Sequence, residues 1–124
     1  MKAPLPSEHA MQAAVIDWWR LACRGYGLPE FALFAIPNAA KRSFRLAAYM
    51  RAEGMRAGVP DLLLAFGRWD RWELRGLFIE MKRKPNKVTP EQTLMIEYLL
   101  SEGYRVKVCW SSEEAIATIK DYLR

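Results

Sequence analysis

The sequence predicts an α/β domain in which a central mixed β-sheet is flanked by helices, with the element order αβαββαβα. Segments with helical and strand periodicity alternate along the chain, as is typical of sheets covered by helices. The run "LLLAF" at 62–66 is continuously apolar, which indicates a strand buried on both faces. A strand, a helix and a strand follow one another between 77 and 110, and this order predicts a right-handed crossover joining parallel strands.

Length and composition fit one ordered domain. The 124 residues are 52% hydrophobic and 27% charged, a balance typical of globular proteins and not of disordered or fibrous ones. A chain of this length buries about two-thirds of the surface that its unfolded form exposes. We therefore predict a single domain over 1–124, in which 1–6 form a Pro-containing leader.

The first half of the chain predicts a helix, a strand and a second helix. Ser7 is placed to cap the first helix, which ends at "RGYGLP", 24–29. "FALFAI" at 31–36 indicates a short buried strand. The second helix is expected from Ser43 to Glu53 with a left-handed glycine after it. The apolar residues available to pack this helix are Phe44, Leu46, Ala47 and Met50.

A hairpin leads into the central strand of the second half. "GRWDRWELRG" at 67–76 reads as a turn or hairpin tip, and the strand follows at 77–83. Trp69 and Trp72 are interleaved with arginines at this tip. Three interpretations stay open for them: stacking on nucleic acid, contact with a second subunit, and folding back onto the domain.

The last third predicts helix, strand and helix. "TPEQ" at 89–92 is a helix start with a capping box, and Gly103 closes that helix. "YRVKVCW" at 104–110 alternates as a strand with one polar face, and Ser111 with Glu114 forms a second expected capping box. The residues expected on the apolar face of the first of these helices are Leu94, Met95, Tyr98 and Leu99.

The cysteines and the start of the chain bear on the compartment. Cys23 and Cys109 form no C-x-x-C pair and have no histidine at metal-ligand spacing, so zinc, iron–sulfur and disulfide-framework readings are poorly supported. Two buried, reduced thiols are expected. No signal peptide is recognisable, and no apolar run approaches the ~20 residues of a membrane span. The sequence thus predicts a soluble, cytoplasmic protein without a membrane partner.

Two ionisable residues interrupt the apolar strand "LFIEMK" at 77–82. A period of two places Glu80 and Lys82 on the same face. Asp61 begins the preceding apolar strand, so its carboxylate approaches Glu80 if the two strands pair. Two carboxylates in a partly dry site repel each other unless a cation lies between them. With the backbone carbonyl of Met81 they would form an all-oxygen site suited to Mg²⁺ or Mn²⁺. The alternative is an edge strand with a Glu/Lys pair and an aspartate that only forms a turn.

Basic residues are clustered on both sides of this candidate site. The net charge is +5; 41–58 holds five basic residues and one acid, and 82–87 holds four basic residues and no acid. Such clusters fit a track for a phosphate backbone. The candidate DNA-binding residues are Asn38, Lys41, Arg42, Arg45, Arg56, Arg83, Lys84 and Lys87.

The residues around the strand resemble a known family. "GVPD" at 58–61 followed by "IEMK" at 79–82 is similar to the PD-(D/E)xK nuclease motif. The wider pattern resembles the virus-type replication-repair nuclease (VRR-NUC) branch of these enzymes. That pattern consists of Glu8, Gln12, "PN" at 37–38, the two motifs, Gln92 and "GYRVKV" at 103–108.

The resemblance implies the restriction-endonuclease-like fold, with Asp61 and Glu80 as metal ligands and Lys82 as the catalytic lysine. Glu8 matches a first-helix acid that joins this site in related nucleases, and Gln92 matches a helix glutamine that supports the lysine or contacts DNA. It also implies a Mg²⁺- or Mn²⁺-dependent DNA endonuclease that leaves 5′-phosphate and 3′-hydroxyl ends and prefers branched DNA such as four-way (Holliday) junctions. Paired cuts would require a homodimer.

Three other functions remain open from the residues. One is a nicking or restriction-type nuclease that acts on ordinary duplex. Another is a DNA-binding module that does not cleave, although the intact triplet Asp61, Glu80 and Lys82 argues against it. The third is a basic protein-interaction domain, whose binding to nucleic acid would depend little on salt.

Overall fold

The fold is a four-stranded sheet with helices packed against it, seen in a computed structural model that describes residues 3–38 and 42–124. The predicted order αβαββαβα is observed. The helices are α1 (Glu8–Ala22), α2 (Phe44–Ala52), α3 (Pro90–Ser101) and α4 (Ser112–Leu123). The strands are β1 (Leu33–Ala35), β2 (Leu62–Leu64), β3 (Leu77–Met81) and β4 (Arg105–Cys109). In the described ranges, no helix has the length and apolar character needed to cross a bilayer.

The sheet is mixed, as predicted. Its strand order is β1-β2-β3-β4, in which β1 with β2 and β2 with β3 are antiparallel. The pair β3 and β4 is parallel, and α3 forms the connection between them. Every residue of β3 is buried, as expected for an inner strand covered on both faces.

One hydrophobic core lies between α1, α4 and one face of the sheet. It includes Val15 and Trp19 of α1 and Ile119 of α4, all nearly inaccessible to solvent. The odd-numbered residues of β3, from Leu77 to Met81, point into this core. Phe78 packs on the opposite face, edge-on against Tyr104 with ring centroids 5.1 Å apart. The predicted alternation along β3 is therefore confirmed.

Capping residues precede the four helices, and the sequence predicts three of these caps, at Ser7, Thr89 and Ser111. The Ser7 hydroxyl accepts a hydrogen bond from the amide of Ala10 (3.0 Å), and Thr89 and Gln92 form the complete reciprocal box. The second box is only half right. Ser111 Oγ accepts from the Glu114 amide, but the Glu114 carboxylate accepts from the amide of Trp110, one residue before the cap.

The apolar face predicted for α2 is only partly correct. Ala47 and Met50 are buried, whereas Phe44 and Leu46 are 87% and 46% exposed. Residues three apart on a helix share a face, so one narrow stripe packs against the domain. The remaining apolar side chains of α2 face solvent.

The inner face of α3 is also shifted from the prediction. Leu99 and Gln92, which are seven residues apart and so share a face, are its buried residues. Leu94 and Tyr98 are 68% and 59% exposed. The predicted apolar face is thus right for Leu99 and wrong for Leu94 and Tyr98, because a polar residue, Gln92, faces inward.

Three strands are shorter than the segments predicted for them. A 3₁₀ turn over Glu30–Ala32 replaces the first part of the expected strand at 31–36. β2 ends early because the amide of Phe66 turns back to the carbonyl of Leu64 (3.0 Å). β3 ends at Met81 and not at 83, although the amide of Lys82 still bonds to the Cys109 carbonyl (2.9 Å).

The hairpin that precedes β3 is attached to the end of α4. The buried guanidinium of Arg68 donates hydrogen bonds to the backbone carbonyls of Tyr122 and Arg124. These carbonyls stand at the negative end of the helix dipole, where a cation is favoured. The same guanidinium pairs with Asp70 and lowers the pKa of that carboxyl.

The two hairpin tryptophans have different environments. Trp72 is half-buried, and the guanidinium of Arg105 lies 5.2 Å from its ring centroid. Trp69 is 62% exposed, with Arg75 at 5.8 Å from its ring centroid. Of the three interpretations, folding back onto the domain therefore applies to Trp72, whereas Trp69 is a surface residue.

A close contact joins the loop before β2 to the start of α3. Gly58 is buried and has φ +94°. A Cβ at this position would lie 2.8 Å from the carbonyl oxygen of Glu91. A glycine is thus needed both for the left-handed conformation and for the space.

A matched pair of variants separates the conformational reason for a glycine at position 58 from the steric reason. Gly54 has a similar φ of +98°, but an added Cβ there meets nothing within 4 Å. Gly54→Ala is expected to lose about 1–2 kcal/mol of unfolding free energy through conformation alone. Gly58→Ala should lose a further ~1–3 kcal/mol through overpacking. Urea unfolding measures both, and equal losses would contradict the proposed contact with α3.

The two cysteines are buried and free, as predicted. Burial raises the pKa of the Cys109 thiol to about 11 from an ordinary value of 9.0. The thiol of the unfolded chain therefore ionises first as the pH rises. Between pH 9 and 11 the unfolded state binds fewer protons than the folded state, so the stability falls across this window.

Cys109→Ala should remove this part of the pH dependence. We expect the wild type to lose about 2–3 kcal/mol more than the variant between pH 8 and pH 11, corresponding to the difference in pKa. Urea unfolding of both proteins at half-unit pH steps gives the comparison. Parallel stability curves would show that the thiol is not shifted.

Candidate active site

Two carboxylates meet where β2 begins and β3 ends. The antiparallel register pairs Leu62 with Ile79, which sets Asp61 opposite Glu80. Directly opposed residues project from the same face of a sheet. Both carboxylates are buried, with 6% and 1% of their residue surfaces exposed. Asp61 Oδ2 also accepts a hydrogen bond from the amide of Met81 at 2.8 Å. The predicted approach of these strand ends is therefore present.

Glu80 has two polar partners on the same oxygen. Its Oε2 accepts a hydrogen bond from Gln92 Nε2 at 2.9 Å. The ammonium of Lys82, itself 8% exposed, lies 3.9 Å from that oxygen. A buried carboxylate is costly unless hydrogen bonds and an opposite charge compensate for lost hydration. Glu80 and Lys82 share a face as the alternation predicts, and each lowers the cost of burying the other.

Gln92 links the start of α3 to this carboxylate. Its Oε1 accepts from the Thr89 amide at 2.9 Å, which completes the capping box, while its Nε2 donates to Glu80. The contact between Gly58 and Glu91 holds the loop before Asp61 against the same turn of α3. Gln92 thus contacts the acid of the site and closes the helix cap with one side chain.

Glu8 belongs to a neighbouring hydrogen-bond group. Its Oε2 accepts from the backbone amide of Arg83 (3.1 Å) and from the side-chain amide of Asn86 (3.3 Å). This carboxylate therefore joins α1 to the loop after β3. Sequence reasoning missed Asn86, because an asparagine after a proline signals only a turn.

An open cleft of about 430 Å³ is bordered by Asp61 and Glu8. Its walls come from the start of α1, from the residues after β1 and from the segment before α2. The lining residues are Glu8, His9, Gln12, Ala35, Ile36, Pro37, Asn38, Arg42 and Asp61. His9 and Gln12 are wall residues that the sequence did not assign a role. The cleft combines acids, amides and a guanidinium, as a site for a metal-assisted reaction of a phosphate requires.

The cleft contains two of the candidate DNA-binding residues. Asn38, which is buried, and Arg42, which is exposed, line the cleft itself. The guanidinium of Arg83 donates to the carbonyl of Leu5 at 3.3 Å. Lys41 lies outside the described residues. The remaining candidates are exposed; they are Arg45, Arg56, Lys84 and Lys87.

The oxygen donors at the strand ends fit a hard divalent cation. Asp61 and Glu80 supply carboxylates, and Met81, which directly follows Glu80, supplies a backbone carbonyl. Such donors suit Mg²⁺ or Mn²⁺. Within residues 3–38 and 42–124, no cluster of three or more His, Cys, Asp or Glu side chains capable of holding a metal ion is found. Glu8, which lines the cleft with Asp61, stays a predicted further ligand.

Comparison with known proteins identifies the family. The VRR-NUC domain matches residues 7–113. A solved structure described as a VRR_NUC domain protein is similar over 97% of this chain and 90% of its own, with 26% sequence identity and a TM-score of 0.78. A search of curated proteins gave no match.

These findings confirm the resemblance read from the motifs and the α/β fold expected from it. The roles of individual residues stay predictions. Because the family match spans most of the chain and the fold agrees, the protein belongs to the VRR-NUC family of nucleases.

Proposed function

We propose that the protein is a Mg²⁺- or Mn²⁺-dependent endodeoxyribonuclease that cleaves branched DNA, such as four-way junctions, as a homodimer. The observation that carries this proposal is the buried pair Asp61 and Glu80 on adjoining strands, with Lys82 Nζ 3.9 Å from Glu80. Two buried acids on adjoining strands and a buried lysine beside one of them match the chemistry of phosphodiester hydrolysis. The nuclease family supports the reaction class.

Asp61, Glu80 and the Met81 carbonyl are the groups proposed to hold the cation. When bound, Mg²⁺ or Mn²⁺ supplies positive charge to the scissile phosphate and lowers the pKa of water. Gln92 keeps Glu80 oriented through the 2.9 Å hydrogen bond. Lys82 presents its ammonium beside that carboxylate, where it stabilises negative charge that develops on the phosphate oxygens.

The proposed reaction is a direct displacement by water. The water oxygen forms a bond to phosphorus, and the bond between phosphorus and the 3′ oxygen breaks. The electron pair leaves with that oxygen, which takes a proton to become a 3′-hydroxyl. The attacking water loses its proton to solvent, and the other strand end keeps a 5′-phosphate. Arg42 in the cleft, with Lys84 and Lys87 beyond β3, would hold the flanking phosphates.

Loss of Lys82 should remove cleavage while preserving binding. Lys82→Ala is expected to lower the cleavage rate about 100-fold or more, since a preorganised charge at the reacting phosphate is lost. Lys107→Ala is the control, because it removes the same charge from a half-exposed lysine on β4 that pairs with Glu114. The assay uses labelled linear duplex, single strand, splayed arm and four-way junction with Mg²⁺ or Mn²⁺, and with a chelator.

Glu80→Gln provides a second test that keeps the shape of the side chain. It removes the negative charge proposed to hold the cation, so cleavage should fall even at high Mn²⁺. Wild-type protein that binds DNA tightly and in a salt-sensitive way but cuts none of the four substrates would falsify the nuclease proposal and favour a binding module. Equal cutting of duplex and junction would contradict only the preference for branched DNA.

Paired cuts across a junction need two active sites, and each chain has one pair of strand-end acids at this cleft. A two-fold symmetric dimer provides the second site. Sedimentation of the wild type should therefore give a dimer mass, with or without junction DNA. A monomer under both conditions would rule out the paired-cut arrangement while leaving single-strand nicking possible.

A further inference from the structure

An exposed aromatic side chain stands at the start of α2. Phe44 is the first residue of the helix and is 87% exposed. The Ser43 hydroxyl accepts a hydrogen bond from the Leu46 amide at 3.3 Å, which fixes this first turn. Only Ala47 and Met50 of the helix are buried. A phenylalanine in this position contributes little to the core and leaves its ring available to a partner.

The surroundings of Phe44 are basic and adjoin the catalytic cleft. Arg42 lies two residues earlier, which limits the separation of the two Cα atoms to about 7 Å, and it lines the cleft with Asp61. Arg45 follows directly, and Arg51 recurs on the face of Phe44 two helical turns later; both are exposed. The ring is therefore flanked by cations that attract phosphate.

An exposed aromatic ring with arginines close to it in the sequence can bind an unstacked nucleobase. Aromatic side chains bind single-stranded bases by stacking on their faces, while arginines contact the backbone. In continuous duplex both faces of each base are already covered by neighbours. At a branch point the stack is interrupted, so a base face becomes available at low cost.

We propose that Phe44 stacks on an unstacked base at the branch point of the DNA and so gives the protein its preference for branched over linear DNA. This inference rests on the proposed function and extends it to a residue outside the acids and lysine of the site. Arg42 would hold the phosphate next to the stacked base and direct the adjoining strand toward Asp61.

A second copy of this chain is the less favourable occupant of the same surface. A two-fold contact joins the same surface patch of both copies, so a contact through α2 sets one basic patch against another. The exposed arginines at 42, 45 and 51 would then face like charges, with Glu53 as the only acid between 42 and 56. DNA, in contrast, complements this charge along the whole helix.

The test compares Phe44→Ala with Leu21→Ala. Leu21 is 88% exposed on α1 and lies thirteen residues, or about 20 Å of helix, from the Glu8 end that lines the cleft. Dissociation constants are measured for a four-way junction and a linear duplex in a chelator, so binding is read without cleavage. Phe44→Ala should weaken junction binding about tenfold and leave duplex binding within about twofold; Leu21→Ala should change neither.

Two further variants separate stacking from simple apolar contact. Phe44→Trp should retain junction binding because it keeps a π-face, whereas Phe44→Leu should behave like the alanine variant. All variants should unfold at the wild-type temperature because the replaced side chains are exposed.

Equal weakening of junction and duplex by Phe44→Ala, or no weakening relative to Leu21→Ala, overturns the inference. Conversion of a wild-type dimer to a monomer by Phe44→Ala without DNA also overturns it and assigns the surface to a second copy. Failure of the nuclease proposal is seen separately, as absence of cleavage by the wild type with Mg²⁺ or Mn²⁺. The junction-to-duplex binding ratio still tests Phe44 in that case.

Discussion

The burial of the Glu80 carboxylate is the constraint around which the site is organised. A carboxylate with 1% exposure in an inner strand requires hydrogen bonds and positive charge close by. Gln92 and Lys82 supply them, from α3 and from the end of β3. Gln92 can reach inward because it lies in the first turn of α3, where its amide oxygen accepts from Thr89 and caps the helix while its amide nitrogen donates to Glu80. The close approach of Gly58 to Glu91 holds this first turn of α3 in place. The cap of α3, the loop that contains Gly58 and strand β3 therefore form one connected unit.

The sequence predicted what depends on local rules. A period of two placed Glu80 beside Lys82, and residue preferences placed the helix caps at Ser7 and Thr89. Pairing of Asp61 with Glu80 followed once two strands joined by a hairpin were recognised. The inner face of α3 was not predictable in this way, since Gln92 replaces an apolar residue there to serve a carboxylate on another element. The bond from Asn86 to Glu8 spans 78 residues and depends on how α1 meets the loop after β3.

Two exposed aromatic residues, Trp69 and Phe44, lie in separate places relative to β3. The hairpin with Trp69 precedes the strand, whereas Glu80 and Met81 stand at its other end. With a rise of about 3.3 Å per residue, the five residues of β3 separate the two ends by roughly 13 Å. The hairpin is further fixed to the end of α4 by Arg68. A base stacked on Trp69 would thus lie across the length of the sheet from the acids, while a base at Phe44 lies beside their cleft.

Substrate choice must come from outside the residues proposed to perform the chemistry. Asp61, Glu80 and Lys82 are proposed to act on a phosphodiester, which is the same in a duplex, a single strand and a junction. Two buried carboxylates also repel a phosphate. DNA binding therefore depends on positively charged residues at the rim of the cleft, and Arg42 is one of them. Positive charge on the protein attracts every form of DNA to a similar degree, because contacts to phosphates do not distinguish one DNA shape from another. A preference for one form requires a surface that contacts something only that form exposes, and on a basic rim beside the cleft an exposed aromatic ring has that property.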